Sequence, residues 1–500
     1  MLAIISDLHL TDGTTCGTVS PGAFQLFAER LEHLAWRASH RQDGSFRPLA
    51  HLDVLLLGDV LDVTHSSRWL ADGAPRPWDD PRRGEFVQTV TNITSDILRH
   101  NAESLEILRG LSQRGAISVP LRDGPGGANH DAPVSTPVAV RLHYMVGNHD
   151  WYFHLPGGDY DVLRRALIEQ IGLAHADQRP FAHDAEEHAA LQEIMRRHRV
   201  LARHGDIYDP LSYEGDRDAS SLSDAIVIEL IGRFVAEINR DLAEDLPTGV
   251  IRGLRDIGDV RPLLLVPLWL DGLLDQTRVA AAARHKMTTI WDRLVDRFLE
   301  IPFVRARDRW SSAEVVDSLA RILKFSKQGA VPWSASDDDW LEKLASRGRL
   351  SFAHRALAEH DFRNRRAKHV VYGHTHLAEQ VPLDASSADA FVLEQMYFNT
   401  GAWRRVFRPT YLNPNGREFL PADTMTMLVL YQGDERKGRP YETWSGTLGP
   451  CRQRVPVHRI DVVGTEDAGS QSISTPSLRT RPPHFAPSLA PPGIVPTRRV

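Results

Sequence analysis

Along the first third of the chain, short apolar runs alternate with stretches whose apolar residues recur at helical spacing. "LAIIS" (2–6), "LDVLLLGD" (52–59) and "RLHYMVGNHD" (141–150) read as buried strands that end in polar residues. Between the first two, "GAFQLFAERLEHLAWRA" (22–38) sets Phe24, Phe27, Leu31, Leu34 and Ala35 on one helical face. "FVQTVTNITSDILRHNAESLEILRGL" (86–111) predicts one long amphipathic helix, and "LRDGPGGANHDAPVSTP" (121–137) a Gly/Pro-rich surface loop. This rhythm implies an α/β domain with its working loops at strand C-termini, where open sheets place ligands.

The texture changes after "RVLARHGD" (199–206). From 216 to 362 the pattern is almost wholly helical, which predicts an insertion or cap within a discontinuous domain formed by 1–215 and 363–463. Its most apolar run, "PLLLVPLWLDGLL" (262–274), is broken by Pro267 and Asp271. It falls short of the roughly 20 residues a membrane-crossing helix needs, so it predicts a core helix pair. Strands resume in "HVVYGHTH" (369–376), "FVLEQMYFNTGAW" (391–403) and "TMTMLVLYQ" (424–432). The Pro/Ser/Arg-rich stretch 464–500 buries too little apolar surface to offset its ordering entropy and is expected to be disordered.

Composition narrows the class. Of 500 residues, 42% are apolar and 25% charged, the balance of a globular protein. A net charge of −6 speaks against a protein that coats nucleic acid unspecifically. The two cysteines, Cys16 and Cys451, exclude a disulfide framework and a thiolate zinc cluster and suit a reducing cytoplasm. "MLAIISDLHL" lacks the basic region and long apolar run of a signal peptide, so a cytoplasmic protein without a transmembrane segment is expected.

Five apolar runs end in metal-ligand residues: "SDLH" (Asp7, His9), "GDVLD" (Asp59, Asp62), "GNHD" (Asn148, His149), "HGD" (His204) and "GHTH" (His374, His376). In an extended chain Asp7 and His9 project to one side, as do His374 and His376, so each pair is suited to one ion. Gly58, Gly147, Gly205 and Gly373 allow sharp turns and keep side-chain bulk from the site. Imidazole, carboxylate and amide oxygen together suit Mn²⁺, Fe or Zn²⁺ better than Ca²⁺ or Mg²⁺. Seven ligands exceed one tetrahedral ion; they fit two ions about 3.5–4 Å apart sharing a carboxylate, an arrangement that hydrolyses phosphate esters.

The ordered set DxH, GDxxD, GNHD, HGD and GHTH, spanning Asp7 to His376, resembles the calcineurin-like metallophosphoesterases. The resemblance implies two packed β-sheets flanked by helices. It also implies that Asp7, His9 and His376 bind one ion, that Asp59 bridges, and that Asn148, His204 and His374 hold the second. Two divalent ions, Mn²⁺ foremost, would then activate a hydroxide for in-line attack on a phosphomonoester, phosphodiester or nucleotide-linked pyrophosphate. His149 would stand beside the leaving group, oriented by Asp62. Asp150 reads as structural, and "RNRRAKH" (363–369) as a solvated helix end or a phosphate-binding patch.

More distantly, the helical insertion and "DLHL" are similar to UDP-2,3-diacylglucosamine hydrolases, whose third motif carries Arg where His149 stands; a nucleotide- or lipid-linked substrate follows from that kinship. Protein Ser/Thr phosphatases differ in two motifs, with Gly in place of Leu10 and Glu in place of Asp150. Nucleases and cyclic-nucleotide phosphodiesterases share "GNHD" and stand as alternatives, although the acidic balance does not favour nucleic acid. A non-catalytic metal-binding scaffold is the alternative of another class, set against ligand positions that are all filled. No GxSxG-type nucleophile motif is evident.

Overall fold

The computed structural model describes residues 1–113, 115–123, 127–129, 135–174, 179–309, 319–320, 322–325, 352–388, 391–409 and 418–447. Its first strand, β1 (Leu2–Ile5), is buried on both faces, as a central strand covered on each side must be. Helix α1 (Pro21–Ala38) returns the chain to β2 (His51–Leu57). Helices α2 (Gly84–His100) and α3 (Ala102–Gln113) then lead through β3 (Ser118–Asp123), β4 (Gly127–Asn129) and β5 (Ser135–Pro137) to β6 (Ala139–Met145). After α4 (Gly158–Ile171) and α5 (Ala189–His198) comes β7 (Val200–Ala202).

The helical stretch follows: α6 (Leu222–Ala225), a π-helical segment Ile226–Gly232, α7 (Arg233–Asp241), α8 (Thr248–Leu254), α9 (Val266–Gln276) and α10 (Ala281–Glu300). The remaining strands are β8 (His369–Tyr372), β9 (Ala378–Ala388), β10 (Phe391–Thr400), β11 (Arg405–Pro409), β12 (Phe419–Leu430) and β13 (Tyr441–Thr447).

Two main sheets result. One has the order β11-β12-β1-β2-β6, with β13 also paired to β12; β1, β2 and β6 run parallel. The other has the order β7-β8-β10-β9, with β7, β8 and β10 parallel. Alternation along β1 sends Leu2 and Ile4 one way and Ala3 and Ile5 the other. Leu2 and Ile4 join Leu57, Val371 and Phe398 in an apolar layer drawn from both sheets, whereas Ala3 and Ile5 pack with Phe27, Val90 and Leu108 of the helices. On the far face of the second sheet, Val370 and Tyr397 meet Phe352 and Ala356. The whole is mixed α/β, with several sheets flanked by helices.

The insertion has its own apolar cluster, including Phe234, Leu270, Trp291 and Phe298. Among its described residues no strand forms; the single bridge Val260–Phe407 ties it to β11. "PLLLVPLWLDGLL" is core as expected, but as one short turn Leu263–Leu265 running into α9 instead of a helix pair.

Two further expectations need correction. The long helix is broken at Asn101, whose side-chain amide donates to Thr11 O and Ile97 O (both 2.8 Å) and whose Oδ1 accepts from Thr18 (2.7 Å). The 121–137 loop contributes β4, β5 and the end of β3, a small sheet of order β4-β3-β5. The tail 464–500 lies outside the described residues. Among the described residues no helix is long and apolar enough to cross a membrane.

Candidate metal centre

Parallel strands of both sheets release the chain at their C-terminal ends, and the loops that follow β1, β2, β6, β7 and β8 carry the five motifs. Backbone bonds zip the first two loops together: Asp7 N donates to Gly58 O (3.1 Å), His9 N to Asp59 O (2.9 Å) and Leu10 N to Val60 O (2.9 Å). Asn399, at the end of β10, donates to Gly373 O (2.7 Å) and pins the last loop.

The ligand pairs do not converge by strand alternation. Asp7, His9, Asp59, His374 and His376 all have positive φ, between 44° and 66°. The loops after β1, β2 and β8 therefore turn sharply at these residues, and it is these left-handed turns that aim their side chains inward. The packed loops leave no room for bulk beside the site. A Cβ at Gly58 would lie 2.3 Å from the His204 ring, one at Gly147 2.4 Å from Asp59 Oδ1, and one at Gly373 2.6 Å from Asp7 Oδ2.

The donor atoms form two clusters. In the first, His9 Nε2 is 3.0 Å from His376 Nε2 and 3.9 Å from Asp7 Oδ1, which is 3.5 Å from His376 Nε2. In the second, His204 Nε2 is 3.1 Å from Asp59 Oδ2 and 3.2 Å from Asn148 Oδ1, and Asn148 Oδ1 is 2.9 Å from His374 Nδ1. Two donors on one ion at about 2.1 Å stand about 3.0–3.4 Å apart, so most of these separations match edges of a coordination polyhedron. Asp59 Oδ2 lies between the clusters, 3.6 Å from His9 Nε2 on one side and beside His204 on the other. The residues present fit two divalent ions sharing Asp59.

The far nitrogens of His9, His204 and His374 are also held, as metal-binding histidines require, while His376 Nδ1 is buried without a partner among the described residues. His204 Nδ1 donates to Leu57 O (3.1 Å), and His374 Nε2 to Asp209 Oδ2 (2.9 Å). Asp62 gathers His9 Nδ1 (2.8 Å), His65 Nδ1 (2.7 Å), His149 Nδ1 (3.0 Å) and Thr64 Oγ1 (2.7 Å). With Nδ1 so occupied, His149 keeps Nε2 available to a bound molecule. Asp150 accepts from Gly147 N (2.6 Å), Val60 N (2.8 Å) and Tyr144 Oη (2.6 Å), tying two motif loops together.

The field favours positive charge. Burial opposes protonation of His204, but Asp59 outweighs it and pushes the imidazole up to about 10. Burial likewise opposes charge on His149, and Asp62 and Asp59 raise it to about 9. Asp59 is held below its ordinary value, against burial, by His204 and His149. His376 goes the other way: burial, then Arg261 and His9, keep it neutral with a lone pair for a cation.

Sequence reasoning passed over several residues. Asp209 stands in "HGDIYD" with no spacing that marks it, and His65 follows "GDVLD" by three positions. Arg261, in the insertion, reaches His376 Nε2 at 3.1 Å; nothing local in the sequence announces it. Arg404 donates to His9 O (3.2 Å) and pairs with Asp259 (2.7 Å). "RNRRAKH" falls at the N-terminal end of β8, opposite to the end that carries His374, and Arg363, Arg365 and Arg366 are exposed; it is a solvated turn. Compared with protein-family models and with curated proteins, the chain matches none.

Proposed function

We propose that this chain is a dinuclear metal-dependent phosphoesterase of the calcineurin-like kind, working in the cytoplasm, with its two main sheets forming that family's sandwich. The observation that carries the reading is Asp59 Oδ2, a single carboxylate oxygen placed between a His9/His376/Asp7 cluster and a His204/His374/Asn148 cluster. Two divalent ions, Mn²⁺ foremost, would supply an acidified water as nucleophile and positive charge for the phosphoryl oxygens.

The chain's own residues supply the rest. Asp62 and Thr64 fix the tautomer and tilt of His149, and against the cost of burial the Asp62 carboxylate favours its protonated form. It is thereby set to hand a proton to the departing oxygen. Burial of Asp7, His9, Asp59, His204 and His376 excludes bulk water from one side, and the partly exposed His374 marks the side open to a substrate.

A panel of aryl phosphomonoesters, phosphodiesters and nucleotide pyrophosphates, assayed with Mn²⁺ alongside elemental analysis, tests this. Two ions per chain and turnover are expected in the wild type, with loss of both in a folded Asp59→Asn variant. Two tightly held ions without turnover of any ester would favour the scaffold reading, and wild-type turnover in Asp59→Asn would refute the shared carboxylate.

A further inference from the structure

Among the described residues, Arg261 alone brings a guanidinium from the insertion onto a ligand of the candidate centre. Its backbone N donates to Phe407 O (3.0 Å), and Nη1 donates to Gly258 O (2.7 Å) and Val260 O (3.0 Å). The head group is thus aimed by its own turn and by β11, not by the site. Nη2 then lies 3.1 Å from His376 Nε2.

No carboxylate lies within ion-pair distance of Arg261 among the described residues. The acid beside it, Asp259, is taken by Arg404 through Nε (2.7 Å) and Nη2 (3.1 Å). Other shielded arginines have their acid: Arg76 with Glu229 (2.6 Å) and Arg217 with Asp206 (2.8 Å). A shielded cation without a counter-ion is costly, and it is tolerated where an anion completes the pair. The acceptor it now has, His376 Nε2, is the atom a metal ion would claim. With an ion there, Nη2 loses that acceptor and two cations face each other unless an anion lies between them.

We propose that Arg261 grips a phosphoryl oxygen of the substrate against the ion held by Asp7, His9 and His376, so that the insertion supplies a substrate-binding group to the site. This rests on the phosphoesterase reading. Guanidinium suits the task, being permanently charged and rich in directed donors.

The test uses full-length wild type, Arg261→Gln and Arg261→Lys, loaded with Mn²⁺. Titration calorimetry measures inorganic phosphate binding, elemental analysis counts metals, and kcat/KM is taken on aryl and alkyl esters. Both variants should keep the wild-type metal count. Arg261→Gln should bind phosphate on the order of a hundredfold more weakly and lose kcat/KM by a similar factor on both ester classes, with Arg261→Lys intermediate. Undiminished phosphate binding in a metal-loaded Arg261→Gln would overturn the assignment, as would a loss confined to alkyl esters. A wild type that binds metal and phosphate but hydrolyses nothing would remove the phosphoesterase reading while leaving the Arg261 contact to be judged by calorimetry. Wild type that takes up no metal would remove both.

Discussion

Asp62 shows how much one side chain can set. It holds the ring of His149, the proposed proton donor, and also fixes His9, one of the candidate ligands, so the two share a single anchor. His149→Ala should therefore keep both ions, because Asp62 and His9 stay in place. It should lose about 10²–10⁴-fold in kcat/KM on alkyl esters and far less on nitrophenyl esters, whose leaving group departs without a proton. Equal losses on the two classes would assign His149 to charge stabilisation alone. Gly147 offers a cleaner steric probe, since its φ is not among the positive ones. An alanine methyl there would press on Asp59 and the His204 ring, at 2.4 and 2.7 Å. Gly147→Ala should fold and yet bind the ion held by His204 much more weakly, as metal titration would show.

At the scale of elements, what was legible followed from local pattern. β1, β2, β6 and β8 are short, apolar and end in the motifs, so their existence and the position of the candidate ligands at their ends could be read. What was not legible depended on distant partners. Asn101 looks like any helical polar residue until Thr11 and Thr18 are brought beside it. The left-handed turns at Asp7 and His374 were invisible because ordinary strand alternation predicts the same convergence. Arg261 needed β11 to aim it. Another unforeseen joint links the turn after β6 to the start of the insertion: Asp218 accepts from His154 (2.7 Å) and His183 (2.9 Å). Burial opposes charge on His154, but Asp218 and Glu187 raise its pKa from 6.5 to about 9. A raised histidine stabilises fully below its unfolded value and loses that contribution as pH climbs through the folded one. The pKa of Asp218 is lowered, so its share is present above about 3.8 and is lost as pH falls through its depressed value. Asp218→Asn should thus cost on the order of 1 kcal/mol, after solvent screening, between about pH 4 and 6.5, with the gap from wild type closing above about pH 9. Melting curves at several pH values would show this, and a gap independent of pH would exclude the ion pair as its cause.

Over the whole molecule, the candidate ligands run from Asp7 to His376 and come from loops of both sheets, so bound ions would cross-link the two sheets. Ions that bind only the folded state add RT ln(1 + [L]/Kd) to its stability. Chelation should lower the melting temperature by several degrees and Mn²⁺ should restore it; identical melting with and without metal would argue against tight sites. The opposite balance holds once metal is gone for good. Five of the ten non-glycine residues with positive φ among those described are Asp7, His9, Asp59, His374 and His376, in a backbone region that costs such residues about 1 kcal/mol or more each. In the metal-free protein, glycine at His376, whose Nδ1 is buried without a partner among the described residues, would release that strain together with an unpaired polar group, whereas at His9 the lost bond to Asp62 would offset the gain. Anyone seeking a sturdy inert scaffold would therefore begin with His376 and leave His9 in place.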